Sequence, residues 1–461
     1  MSEHRFPDGF LWGAATSAFQ IEGGADQDGR RPSVWDTFCA TPGRVRGGDD
    51  GRIAIDHRNR WRSDVALMAD LGLQAYRFSI SWPRVQPDGK GRTSADGLGF
   101  YLELVEALLA RGIEPIVTLY HWDLPQALED DGGWPNRDTA SRFADYAFAV
   151  AEALGPDVRR WGTLNEPWCA AMLGYSAGVH APGRTEPGAA VAAAHHLLLG
   201  HGMAVDALRA ALPQAEVSIT LNPYPVVAAG PTDADRDAAR RVDGVANRLW
   251  YDPLLRGRYP DDVLADFERV SDLAHIRDGD LAVISRPIDA LGLNYYRRHH
   301  VRARADASVG HPWGQWPGSP DVELVQPSGP ATDGGWAIEP EGLTEALVRL
   351  HEEYEHPPLY LNEIGAAFDD GVGPDGTVDD RRRIQWLEAH IEAAHDAIAE
   401  GVDLRGIMVW SLFDNFEWAE GYAHRFGIVH VDYETLVRTP KASAWWYAGV
   451  IRANGLPPAP D

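Results

Sequence analysis

Eight short apolar runs, separated by longer stretches with helical spacing, constrain this chain more than any other feature. The runs cover residues 10–19, 75–82, 115–122, 161–166, 217–222, 288–296, 359–363 and 406–412. Between them apolar residues recur at helical intervals over 98–110, 139–154, 189–212, 343–354 and 383–399. Parallel strands need a long crossover, normally a helix, so strand and helix repeated eight times predict parallel strands closed on themselves. The expected fold is α/β, a single (β/α)8 TIM barrel with long βα loops. The 461 residues leave room for two or three domains, but no repeat, low-complexity tract or Ser/Gly linker divides them. One catalytic domain over 1–461 is expected.

In such a barrel the chemistry sits where strands end and βα loops begin. The residues closing the runs are Gln20, Arg77 with Trp82, His121-Trp122-Asp123, Asn165-Glu166, Asn222, Asn294 with Tyr296, Glu363, and Trp410 with Glu417-Trp418 just beyond. Every run contributes polar or aromatic groups to one face. Glu166 and Glu363 close the fourth and seventh runs, which lie across the barrel mouth from each other. Two carboxyls flanking one bond are what glycosidic cleavage requires, one to protonate the leaving oxygen and one to attack or to activate water.

Charge and composition exclude other classes. Lys+Arg number 42 against 68 Asp+Glu, a net charge of −26, so the chain lacks the basic footprint of a nucleic-acid or anionic-membrane partner. The first eight residues carry no basic-then-apolar leader pattern and no later apolar run reads as membrane-spanning, so a soluble, cytoplasmic protein is expected. Cys39 and Cys169 alone cannot build a disulfide framework, and no metal or cofactor is expected. Neither of the two lysines, Lys90 and Lys441, stands in a phosphate-binding loop. His195-His196 lies in a helical pattern and His299-His300 follows a strand, and neither pair is expected to have a carboxylate or cysteine arranged around it. The 17 tryptophans suit a core and flat sugar faces equally.

Several segments together resemble the glycoside hydrolase family 1 β-glucosidases. Thr163-Leu164-Asn165-Glu166-Pro167 is similar to that family's acid/base motif, and the stretch from Trp410 through Ser411, Asp414 and Asn415 to Glu417-Trp418 is similar to its sugar-binding segment. Phe10 to Ser17 leading to Gln20, Tyr76-Arg77-Phe78-Ser79, His121-Trp122-Asp123-Leu124-Pro125 and Asn294-Tyr295-Tyr296 follow in the family's order. The resemblance implies a retaining double displacement, with Glu363 as nucleophile, Glu166 as acid/base, and Arg77 and Tyr296 keeping Glu363 ionised while a nearby like charge keeps Glu166 protonated. It further implies Gln20, His121, Asn165 and Glu417 on sugar hydroxyls, with Trp410 and Trp418 as walls. Trp122, Asn294, Trp336 and Phe426 complete the implied substrate contacts. The implied partner is a small β-glucoside or cello-oligosaccharide, with galactosides and fucosides as further substrates. Relatives acting on 6-phosphorylated sugars replace the acidic residue at 417 and add a lysine and a tyrosine where this chain has His424 and Phe426, so unphosphorylated hexosides are favoured. Trp168, Asn222, Tyr224 and Trp336 are candidates for the leaving-group side, beside a long connection over 297–335 that holds Trp313 and Trp316.

One departure stands beside the nucleophile. The family usually reads Thr-Glu-Asn-Gly there; this chain reads Asn362-Glu363-Ile364-Gly365. Strand alternation predicts that Asn362 and Ile364 turn away from Glu363, toward the layer between strands and helices. Reduced turnover or more glycosyl transfer is the expected consequence. Restoring Asn362→Thr with Ile364→Asn should then change the ratio of hydrolysis to transfer; unchanged kinetics would make the departure silent. A competing class rests on Gly174-Tyr175-Ser176-Ala177-Gly178, which fits the nucleophile elbow of serine esterases and requires a strand before it and a helix after it.

Overall fold

A computed structural model describes residues 4–304 and 314–456; Trp313 lies outside them. Eight parallel strands close into a barrel: β1 Leu11–Ala15, β2 Ala75–Ser79, β3 Glu114–Tyr120, β4 Arg160–Asn165, β5 Glu216–Leu221, β6 Ala290–Tyr295, β7 Leu359–Ile364 and β8 Leu404–Trp410, with β1 pairing both β2 and β8. All eight predicted runs supply barrel strands. The first run is too long: the strand stops at Ala15, and Ala18–Ile21 is a helical turn that carries Gln20.

Alternation along the strands creates two apolar layers. Trp12, Ala14, Tyr76, Phe78, Ile407 and Val409 join the large core between strands and helices, whereas Ala15, Ala75, Ile116, Met408 and Trp410 form a separate cluster inside the barrel. The crossover helices include Ala95–Leu109, Asp138–Leu154, Pro187–Ala211, Glu341–Glu353 and Arg381–Ala399, each within a few residues of its predicted span. Several others escape prediction, among them Asp233–Asp243 and Leu249–Arg256 between β5 and β6. His57–Asp70 shows few apolar residues between its charges, yet buries Trp61, Val65 and Met68 at helical spacing; Ala442–Ala453 follows the last strand.

The reading of apolar lengths also needs correction. Pro187–Ala211 is a 25-residue helix long and apolar enough to cross a membrane, but it lies largely buried. It packs on Asp138–Leu154, and its His201 hydrogen-bonds Thr163 of β4 at 2.7 Å. Its apolar surface is that of a core helix.

Candidate active site

The two carboxyls owe their aim to irregular strand ends. Along β7, Leu361 pairs with Leu293 of β6, but the next partner of Asn294 is Glu363, so Asn362 is an extra residue. Along β4, Gly162 opposes Ser218 of β5 and Asn165 opposes Thr220, again with one extra residue. Such bulges re-aim side chains at barrel rims. They overturn the expected orientation of Asn362: its amide points to the barrel interior, donating to Thr220 Oγ1 at 2.8 Å, while Ile364 returns to the strand–helix core as predicted. A side chain at Gly292 would collide with the Asn362 amide, and one at Gly365 with the carbonyl of Trp410. Close backbone approach therefore requires both glycines.

Glu363 is held by two strong donors. Arg77 Nη1 donates to its Oε1 and the Tyr296 hydroxyl to its Oε2, each at 2.7 Å. Arg77 also donates through Nη2 to Asn165 Oδ1 at 2.6 Å. Glu166 sits in the left-handed region at φ 44°, a conformation that residues other than glycine adopt uncommonly. Asn294 Nδ2 donates to its Oε1 at 2.7 Å and the Cys169 thiol to its Oε2 at 3.0 Å. Asn294 also donates to Asn165 Oδ1 at 3.1 Å, so one network joins both carboxyls.

Their environments push them apart. Burial, and next the charge of Glu363, raise the Glu166 pKa to about 7, against the lowering effect of the Asn294 and Cys169 hydrogen bonds. Desolvation, more than the like charge inferred from sequence, thus keeps this acid protonated. Burial also raises Glu363, but Arg77 and the Tyr296 hydroxyl oppose it directly, so the charge of the pair resides on Glu363. Glu417 is pushed up to about 8, by burial first and then by Glu363 and Glu166.

A stability prediction follows from these signs. Glu166 and Glu417 titrate higher in the folded protein than in the unfolded chain, so from about pH 4.5 to 8 the fold holds protons that the unfolded chain releases. The stabilisation these two groups provide is complete below their ordinary pKa and lost as pH rises through their folded values. Thermal melts across pH 5 to pH 8, values spanning that window, should show Tm falling, and the double variant Glu166→Gln, Glu417→Gln should flatten the slope. An unchanged slope would refute the assignment.

The remaining sequence-selected residues surround this pair. Asn165 Nδ2 donates to His121 Nε2 at 3.0 Å. Burial and Arg77 hold the pKa of His121 well below its ordinary value, so the ring is neutral; its proton lies on Nδ1, a buried donor with no protein partner. Trp410 and Trp418 stack near-parallel on His121, with centroids 5.7 and 5.9 Å away. Gln20 Nε2 donates to Asn415 Oδ1 and the Phe416 carbonyl and lies 3.4 Å from Glu417 Oε2. Trp122 packs on Trp418 and donates its indole N–H to the Asn165 carbonyl. Trp336 and Phe426 both meet the Tyr296 ring edge-on. Of the leaving-group candidates, Asn222 donates to the Tyr224 hydroxyl at 2.9 Å, and Trp168 packs on Tyr224 and Trp316.

Sequence reasoning passed over Cys169 and Thr220. Cys169 follows Glu166 by three residues, a spacing that lets two side chains meet on a helical turn, so it was within reach. Thr220 takes the amide of Asn362 and lies 3.4 Å from Arg77 Nη2, a role set by the strand register. The esterase motif does not form an elbow. Ser176 lies in a π-helix, Cys169–Ala177, with its hydroxyl donated to the Gly314 carbonyl. Contrary to the sequence reading, both histidine pairs do meet a carboxylate: His195 is tied to Asp280 as well as Tyr259, and His300 to Glu339, while His196 bonds the Trp134 carbonyl.

A closed parallel barrel with two buried, unequally partnered carboxyls and aromatic walls at its C-terminal mouth defines a glycoside hydrolase. The family model for glycosyl hydrolase family 1 matches residues 2–456, and the chain belongs to that family. It is 50% identical over 455 residues to thermostable beta-glucosidase B of Thermobispora bispora, covering 98% of this chain and 91% of that one. It is 47% identical over 453 residues to the bifunctional beta-D-glucosidase/beta-D-fucosidase of Bifidobacterium breve, covering 96% and 97%. The solved family 1 β-glucosidase of Thermotoga maritima superposes with a TM-score of 0.94 at 44% identity, covering 99% of this chain and 100% of that one.

Proposed function

We propose that this chain is a retaining β-glucosidase, one catalytic unit over 1–461, that releases terminal non-reducing β-D-glucosyl residues from cello-oligosaccharides and aryl or alkyl glycosides. The observation that carries the proposal is the unequal grip on the two carboxyls: a cation and a phenol on Glu363, a neutral amide and a thiol on Glu166. Glu363 attacks the anomeric carbon from the α face as the bond to the leaving oxygen breaks, and Glu166 gives that oxygen its proton. Glu166, now a carboxylate, takes a proton from water; the water oxygen attacks the anomeric carbon, the ester to Glu363 breaks, and β-glucose leaves.

The other residues bind and orient. His121, through Nδ1–H, and Gln20 and Glu417 hold the glucosyl hydroxyls, between the Trp410 and Trp418 rings. Asn165, already oriented by Arg77 and Asn294, contacts the 2-hydroxyl, where hydrogen bonds strengthen as charge develops at the neighbouring carbon. Trp122 and Asn294 support Asn165 and Glu166, and Trp336 and Phe426 brace Tyr296. The names of the relatives support glucosyl and fucosyl substrates. Both cysteines, Cys39 and Cys169, are free thiols, which agrees with a reducing compartment, the cytoplasm.

The test is an NMR time course with an aryl β-glucoside. The β-anomer should appear first and mutarotate later; the α-anomer as first product would overturn the mechanism.

A further inference from the structure

On the leaving-group side a chain of contacts runs from one carboxyl to the other. From Glu166 it passes through Cys169 to Asn222, 3.7 Å from the thiol, and on to the Tyr224 hydroxyl. From Glu363 it passes through the Tyr296 hydroxyl to Trp336, whose ring centroid is 5.5 Å from that of Tyr296. Arg297 stands between the two arms. Its guanidinium carbon is 4.9 Å from the Trp336 ring centroid, and the Tyr224 hydroxyl is within electrostatic reach.

Among the described residues, Arg297 has no carboxylate partner and no acceptor for its N–H groups. This is unusual for a half-buried arginine in a chain of net charge −26. The next residue, Arg298, pairs with Glu339, Glu341 and Glu345. Arg44 and Arg269 donate to backbone carbonyls instead. Burial pulls the Arg297 pKa down, opposed by the Tyr224 hydroxyl alone, as expected of a cation without a counter-charge. A guanidinium over an indole face, with no acceptor for its N–H groups among the described residues, can offer its N–H fork to a carboxylate in two hydrogen bonds.

We propose that Arg297 makes the leaving-group side selective for aromatic aglycones that carry a carboxylate. The inference rests on the β-glucosidase reading above. The ring of such an aglycone lies against Trp336 and Tyr224, and its carboxylate takes the Arg297 fork. Without that cation, the Glu363 carboxylate and the overall negative charge would repel an anionic leaving group.

The test compares kcat/KM for 4-carboxyphenyl and 4-carbamoylphenyl β-D-glucopyranoside, an anion and a neutral near-isostere, in the wild-type protein, Arg297→Gln and Arg297→Lys. Comparing the ratio between proteins cancels the intrinsic reactivity of the two phenols. The carboxylate-to-carboxamide ratio should fall about tenfold or more in Arg297→Gln, the loss expected for a charge-assisted hydrogen bond. Arg297→Lys, which keeps the charge but not the fork, should fall between. In the wild-type protein, raising salt to about 1 M should erode the preference by screening. A ratio equal in wild type and Arg297→Gln would overturn the inference. Should Arg297→Gln fail to fold, the lysine variant and the wild-type salt series decide: an unmoved ratio in both overturns it. Hydrolysis of 4-nitrophenyl β-glucoside separates the two readings, since its absence in the wild type removes the glucosidase proposal, whereas its presence with an Arg297-independent ratio removes this one alone.

Discussion

Replacing Glu363 by alanine is expected to lower steady-state hydrolysis of an aryl β-glucoside by at least roughly 10⁴-fold, the scale of removing a covalent nucleophile. Azide should restore turnover, with α-glucosyl azide as product, because the small anion occupies the volume of the missing carboxylate and attacks from the same face. The substitution carries a second, separable effect. Arg77 is buried and donates to Glu363 Oε1, so the alanine leaves a cation buried without its charge partner. Breaking a buried pair in this way costs on the order of 3–5 kcal/mol of stability. Circular dichroism and a thermal melt must therefore accompany the assay, and rescue by azide is the readout that a merely unfolded protein would not show. Loss without rescue in a folded variant would count against Glu363.

Glu166→Ala should behave differently, and the difference depends on the leaving group. For sugar or alkyl aglycones, whose departure needs a proton, turnover should fall about 10²- to 10⁴-fold. For 2,4-dinitrophenyl β-glucoside the bond breaks unaided, so the first step persists while deglycosylation, now lacking its base, slows. A burst of phenolate equal to the enzyme concentration should precede a slow steady state. Azide should accelerate that state and give β-glucosyl azide, the opposite anomer from the Glu363 variant. In the wild type the basic limb of kcat/KM should lie near pH 7, where Glu166 loses its proton, and the limb should vanish in Glu166→Ala. Equal losses for all leaving groups would show that Glu166 is not the acid.

The barrel is legible because each strand is mostly buried and reads as a short, largely apolar run, and because strand ends at one mouth bring distant residues together. Glu166 and Glu363 follow from that logic. The orientation of Asn362 does not, since alternation holds only while register holds, and the bulge after Leu361 is set by how β7 fits β6 and β8. Charge state was equally hidden: that burial dominates the Glu166 shift depends on what covers it. Helix His57–Asp70 stayed unseen because its few core residues lie among charges. Arg297 drew no notice, for in sequence it is one arginine of a basic pair. Only placement shows that Arg298 meets three carboxylates and that Arg297 meets none among the described residues.

The central claim, a covalent glucosyl ester on Glu363, is tested most directly by trapping. A 2-deoxy-2-fluoro-β-glucoside with an activated leaving group should inactivate the enzyme with release of one equivalent of phenolate. Peptide mass spectrometry should then place the 2-fluoroglucosyl mass on the peptide containing Asn362-Glu363-Ile364, with fragmentation assigning it to Glu363. A label on any other residue, or inactivation without a covalent label, would contradict the account.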